Sequence, residues 1–201
     1  MSINKKYETL RINPETIFLR QLTISDVTDR YLGWLNDPEI NRFLEIRHSP
    51  PITIEDAIKF IENCEKSHRH HWGIFVEGAH VGNISCSLYN HTYKWVDISN
   101  LIGEKEYQKS DLCKIALSNA MQYLFDVSGF HRIQAGTYNI HFAGITLLTN
   151  LGFKKEAVLR EAAIVDDKYV DSLKFGILAN EWAARKNKPP KIEVMRTPWE
   201  V

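Results

Sequence analysis

Three strand-like runs stand close together in the middle of this chain: HWGIFV (71–76), HVGNISCSLY (80–89) and WVDISNLIG (95–103). Their β-branched and aromatic residues read as strands, and the EGA between the first two is a hairpin signal. Beyond them the pattern changes. A helix from about 111 to 127, burying Leu112, Ile115, Ala116, Leu117, Ala120, Tyr123 and Leu124, leads to the strand FHRIQAGTY (130–138). A second helix, HFAGITLLTNLGF, closes on Gly152 as its C-terminal cap and leads to a final hairpin, in which EAVLREAAIV and DSLKFGILA flank DDKYV. Antiparallel runs interrupted by two helices that each follow a strand predict an α/β fold: one domain on a mixed, mostly antiparallel central sheet flanked by helices.

The N-terminal half supplies the remaining elements. TIFLRQLT (16–23) is a strand, after which Ser25 or Asp26 is expected to cap a helix carrying Val27, Tyr31, Trp34 and Leu35 on one stripe. NDPEI breaks that helix, and Ile40, Phe43 and Leu44 continue as a short turn. Thr53 and Asp56 form a capping box ahead of Ile54, Ile58 and Ile61 at helical spacing. The domain is expected over residues 1–183. Residues 184–201, with RKNKPPK and two prolines, read as a polar tail that packs loosely or against a partner.

Composition excludes several classes. Lys+Arg and Asp+Glu balance at 25 each, so there is no basic footprint for nucleic acid. No apolar run is long enough to span a membrane, and MSINKKYETL lacks the apolar core of a signal peptide. The three cysteines, Cys64, Cys86 and Cys113, form no zinc pattern and no disulfide framework, which points to a reduced, cytoplasmic protein. The HRHH tract (68–71) has no nearby carboxylate or cysteine pattern, and adjacent residues rarely converge on one ion, so no metal is expected.

The stretch LIGEKEYQKSDLCKIALSNAMQYLF (101–125) is a strand–loop–helix junction of the kind that cradles an anion on free backbone N–H groups. It holds no glycine after Gly103, and Asp111 sits where an anion should bind. Its carboxylate could accept the N–H bonds a phosphate would use, and Ser110 is an equally good cap.

The order of elements, with LRQLTISDVTDRYLGWLNDPEINRFLE, VGNISC, DISNLIGEKEY, FHRIQAGTY, NLGFKKEAVLRE and DDKYVDSLKFGIL, resembles the GNAT superfamily of acyl-CoA-dependent N-acyltransferases over roughly residues 16–182. Within it, the similarity is to ribosomal-protein N-terminal acetyltransferases and acetyltransferases of nucleotide-linked amino sugars. The resemblance implies acetyl-CoA as co-substrate, lying between the strands 95–103 and 130–138. It places the cofactor against Leu101, Ile102 and Asn139, with the pyrophosphate on the loop Gln108, Lys109, Ser110, Asp111, Leu112 and Cys113. Gln108 matches the family's loop motif, whereas Asp111 and Cys113 replace its small residues. In the following helix, His141 and Gly144 stand at the family's Asn and Ser positions. Leu148 stands where a tyrosine often protonates the CoA thiolate, and Tyr138, Asn139 and His141 are the nearby candidates for that role.

The same resemblance makes Asp97 the candidate base. It places Glu45, Arg47 and Trp34 on the acceptor side, Glu45 to hold an amine, Arg47 a phosphate or carboxylate, and Trp34 to stack on a sugar or base. Two functions follow as expectations. The first is N-acetyl transfer to a small primary amine, a nucleotide-linked amino sugar ahead of a protein N-terminus. The second is a catalytically silent module of the same fold that keeps the cleft for another ligand or partner. The final hairpin and the tail offer a route to a homodimer.

Overall fold

The computed structural model describes residues 8–13, 17–67, 69–185 and 193–196. Its strands are β1 (Glu8–Asn13), β2 (Ile17–Gln21), β3 (His71–Val76), β4 (Ala79–Asn90), β5 (Trp95–Ile102), β6 (Arg132–Tyr138), β7 (Lys154–Val165), β8 (Lys168–Leu178) and β9 (Glu193–Arg196). They form one nine-stranded sheet in the order β7-β8-β6-β5-β4-β3-β2-β1-β9. The helices are α1 (Asp29–Asn36), α2 (Pro38–Asn41), α3 (Ile54–Lys66), α4 (Leu112–Gln122), α5 (Phe142–Asn150) and α6 (Ala179–Ala183). A π-helical turn, Tyr123–Val127, prolongs α4. The expected α/β class and mostly antiparallel sheet are present, since among the described residues only β5 and β6 pair in parallel.

Turn chemistry sets the two long hairpins. Glu77 and Gly78 both have positive φ (50° and 82°), which matches the twist of β3 and β4 in a two-residue turn. Asp166 and Asp167 do the same between β7 and β8, so Lys168, Tyr169 and Val170 belong to β8 rather than to the turn. On one face, Val96, Ile98 and Ile102 of β5 and Ile133 and Ala135 of β6 pack under Leu112, Ala116, Ala120 and Leu124. On the other, Leu101 and Phe75 meet Tyr31 and Trp34 of α1 and Ala57 and Ile61 of α3.

Several expectations are corrected. Neither Ser25 nor Asp26 caps α1. Thr28 does, its hydroxyl accepting from Tyr31 N at 3.2 Å. Asp26 is instead held by the Arg20 guanidinium at 2.6 and 2.7 Å and by Thr23, which pins the turn before Val27. The capping box of Thr53 and Asp56 is formed. Ile115 is 37% exposed and lies off the buried stripe of α4. The expected loose tail contributes β9, paired antiparallel with β1, and neither strand was anticipated. His68 and the run from Lys186 through Lys191 lie outside the described residues.

Candidate active site

Ladder pairing between β5 and β6 covers only Trp95↔Arg132, Val96↔Ile133 and Asp97↔Gln134. Beyond that point each strand keeps its outer neighbour, β5 with β4 as far as Gly82↔Ile102 and β6 with β8 as far as Tyr138↔Ser172. The sheet therefore forks, and the facing edges of Ile98–Ile102 and Ala135–Tyr138 carry no ladder partner among the described residues. Unpaired backbone donors and acceptors lining a cleft are what an extended amide-bearing chain needs in order to bind between two strands.

Asp97 stands at the apex. A bulge in β4 sets Ser87 and Leu88 against Asp97 alone, and this brings the Ser87 hydroxyl to 3.2 Å from Oδ1. The Gln134 amide donates to Oδ2 at 3.5 Å. Burial raises the Asp97 carboxyl above its ordinary range, against the pull of those two hydrogen bonds.

The head of α4 lies past the end of β5. Gln108 Nε2 donates to the Ile102 carbonyl at 3.1 Å, which ties the loop to the strand. Asp111 makes no capping hydrogen bond, so the expected self-cap through its carboxylate is not formed. Ser110 takes that role: its hydroxyl donates to Tyr107 O at 2.7 Å and accepts from Leu112 N at 3.2 Å. With Asp111 turned to solvent, the N–H groups of Asp111, Cys113 and Lys114 have no acceptor among the described residues. Lys109 and Ser110 are exposed beside them, and Leu112 is buried below. Cys113 accepts from Asn100 Nδ2 at 3.1 Å, and burial pushes its thiol up to about 12, so it stays protonated and is no nucleophile. Leu101 and Ile102, the last residues of the β5 arm, are buried on opposite faces of the sheet.

The segment after α2 forms the other wall. Here Glu45, Arg47 and Tyr138 come together: the Tyr138 hydroxyl donates to Glu45 and accepts from both terminal nitrogens of Arg47 at 3.3 Å. Burial and the Glu45 carboxylate both raise the Tyr138 phenol. Arg47 also donates to Leu44 O at 2.7 Å and Ile164 O at 2.9 Å. Its guanidinium thus ties this segment to β6 and β7 and has no fork left for a phosphate, which corrects its expected role. Glu45 remains outward, its side chain 81% exposed. Beside it lies a cavity of about 430 Å³ lined by Asn36, Asn41, Arg42, His48, Asp166 and Asp167 among others. Arg42 bridges it to Asp166 at 2.5 Å.

Trp34 does not line this wall. It is 5% exposed, in edge contact with Tyr31 and His80, and lies so close over Gly103 that no Cβ would fit there. It is a core residue. Asn139 is exposed in the turn after β6, its N–H bonded to Asp171 O at 3.0 Å.

His141 heads α5. Its Nδ1 lies 3.0 Å from Thr137 Oγ1, and its ring stacks on Phe43 with centroids 4.0 Å apart. A Cβ on Gly144 would stand 2.6 Å from Nδ1, so the glycine makes room for the imidazole. Burial, and then the Arg42 charge, lower the His141 pKa, so the ring is neutral near pH 7. Leu148 is buried in the main core, away from any proton chemistry. Sequence reasoning missed Ser87, Gln134, Thr137 and Phe43. Ser87, Gln134 and Thr137 lie on strands already read as such and Phe43 in the turn after α1, but nothing local shows which of them the fold brings together.

The comparisons agree with this geometry. The family model described as Acetyltransferase (GNAT) domain matches residues 16–154. The Probable N-acetyltransferase YjcK of Bacillus subtilis (strain 168) is 24% identical over 171 residues, covering 82% of this chain and 94% of that one. The structure of spermidine N-acetyltransferase from Vibrio cholerae in complex with CoA and spermine superposes with a TM-score of 0.76 at 16% identity, over 85% of this chain and 99% of that one. The ribosomal L7/L12 alpha-N-protein acetyltransferase RimL in complex with CoA gives 0.75 at 16% identity, over 85% and 98%. A forked parallel pair, an open helix head beyond it and a family match across most of the chain have one conclusion: this chain belongs to the GNAT acetyltransferase family.

Proposed function

We propose that this protein transfers an acetyl group from acetyl-CoA to a small primary amine, a nucleotide-linked amino sugar first and a protein N-terminus second. The observation that carries the reading is the unpaired fork beyond Asp97 and Gln134, closed at one end by free N–H groups of α4. In this reading the pantetheine amides complete the open strand edges of Leu101 and Ile102, and Asn139 flanks the outlet. The pyrophosphate takes the α4 donors beside Gln108, Lys109, Ser110, Asp111, Leu112 and Cys113. Asp97, expected as the base, stands at the apex with its two carboxylate oxygens accepting from Ser87 and Gln134. The acceptor lies on the Glu45 side, where an exposed carboxylate suits an ammonium group. The adjacent cavity, with Arg42 and His48, is of a size that suits a small ligand. Direct attack of the amine on the thioester asks mainly for orientation and a modest base.

The silent-module alternative draws on Asp111, Cys113, Gly144 and Leu148; of these Asp111 makes no cap, although Ser110 caps Leu112 N in its place. The test is calorimetric titration with acetyl-CoA at low and near-physiological salt, followed by a thiol-release assay. The assay panel is amino-sugar nucleotides, free-N-terminal peptides and spermidine. Saturable micromolar binding with turnover of one acceptor is the expected result. No binding at millimolar acetyl-CoA would transfer the fold to the silent module.

A further inference from the structure

We propose that His141 shuttles the proton of the reaction, taking it from the acceptor amine on Nε2 and returning it to the sulfur of CoA. The proposal rests on the transferase reading above and identifies the residue that completes it.

The side chains around the fork differ in what they have left to offer. Both oxygens of Asp97 accept hydrogen bonds, from Ser87 and Gln134. The Tyr138 hydroxyl is engaged by Glu45 and twice by Arg47. Cys113 holds its proton, and Leu148 has none to give. His141 alone in this group has one nitrogen fixed and one free. Thr137 engages Nδ1, and no group among the described residues bonds Nε2. If Nδ1–H donates to Thr137 Oγ1, the lone pair stays on Nε2, as a base requires.

Position supports the same assignment. Thr137 lies on the parted arm of β6, three residues past the last rung shared with β5. Phe43, stacked on the imidazole, belongs to the segment that carries Glu45. His141 therefore sits where the arm of the fork meets the acceptor wall. The charged groups facing it are few. Arg42 approaches from the segment after α2, with its charge shared with Asp166, and Glu45 is turned to Tyr138. Among the described residues no carboxylate bonds the ring. Phe43 presents a π face that can shelter a transient imidazolium.

The step balances without any other reactant. The amine nitrogen attacks the thioester carbonyl carbon and the C–N bond forms. Nitrogen sheds a proton to Nε2, the C–S bond breaks, and sulfur leaves with the electron pair. The imidazolium then protonates the thiolate and returns to its neutral form, with free thiol and amide as products.

The experiment compares the full chain with His141→Gln and His141→Ala, using acetyl-CoA and the acceptor from the panel that turns over. Loss of at least about 100-fold in kcat is expected for both, with the acetyl-CoA dissociation constant within threefold of wild type. The acid limb of the kcat profile should vanish in the glutamine variant. Free imidazole should restore turnover to the alanine variant in proportion to its unprotonated fraction. A merely structural role would move none of the pH limb, the split between kcat and binding, or the rescue. If the wild type turns over and both variants stay within threefold of it, or if imidazole restores nothing to a folded alanine variant, the shuttle is overturned and the transferase stands. A wild type that neither binds acetyl-CoA nor acetylates overturns both.

Discussion

Gly144 is small because of its neighbour three residues earlier, and this makes His141 and Gly144 one feature. Gly144→Ala would set a methyl group 2.6 Å from Nδ1 and push the imidazole off Thr137. Such a variant is expected to lose about 10-fold or more in turnover, with acetyl-CoA binding unchanged in titration. At Arg47 the consequence is one of stability. Arg47→Met would strip Ile164 O of its side-chain donor and leave Leu44 O only the backbone N–H of residue 47, and an expected loss of about 2 kcal/mol is measurable from the urea midpoint. Glu45, Arg47, Tyr138 and His141 were all legible in the sequence as individuals, but their assembly was not. Arg47 meets Ile164 and Tyr138 across 117 and 91 residues of chain, separations that no local pattern reports. For the same reason an arginine that looks free to hold a phosphate proves to be a tie between three segments.

Among elements, the head of α4 separates two neighbouring side chains that the sequence alone makes equivalent. Ser110 caps and Asp111 does not. Ser110→Ala is expected to cost about 1 kcal/mol, whereas Asp111→Asn should leave thermal stability unchanged. The second substitution removes a negative charge from an anion site and should tighten acetyl-CoA binding severalfold at low salt, with less effect near physiological salt. Titration of both variants decides the matter, and equal stability losses would reverse the assignment. Elements with a strong internal signal were legible: the Thr53 capping box, the β3–β4 turn at Glu77 and Gly78, and the Gly152 cap at φ 85°. The first helix was displaced at its start because three candidate caps, Ser25, Asp26 and Thr28, lie within four residues. Which of them caps depends on Arg20, a residue of the preceding strand. β1 and β9 went unread because each is short and finds its partner only in the assembled sheet.

For the whole molecule, a buried and a half-buried histidine, His71 and His80, pack beside the second core. His71 packs beside Tyr31, its Nε2 3.3 Å from the hydroxyl, and burial lowers its pKa to about 3. Burial also lowers His80, which bonds Gly82 O and Asn83. Both stay neutral in the fold, while in the unfolded chain they take up protons near the ordinary value of 6.5. The unfolded state therefore binds more protons below that value, so the stabilisation present above it is lost as pH falls from about 6.5 towards 3. Between pH 7 and pH 5 the urea-derived stability is expected to drop by about 2 kcal/mol for His71, and His71→Phe should flatten the dependence. A wild-type profile flat over that interval would contradict the buried neutral state.

The family match begins at residue 16 and ends at 154, yet the sheet continues through β1 to β9. Glu8 stands opposite Arg196, so the ladder that completes this edge joins residues 8–11 to residues 193–196. During synthesis β1 can pair with β2 as soon as both have been made. Its other side must wait until residues 193–196 have been made. The fork, its walls and both cores can thus be in place before the final rung closes, which makes β9 the last strand of the sheet to be laid down.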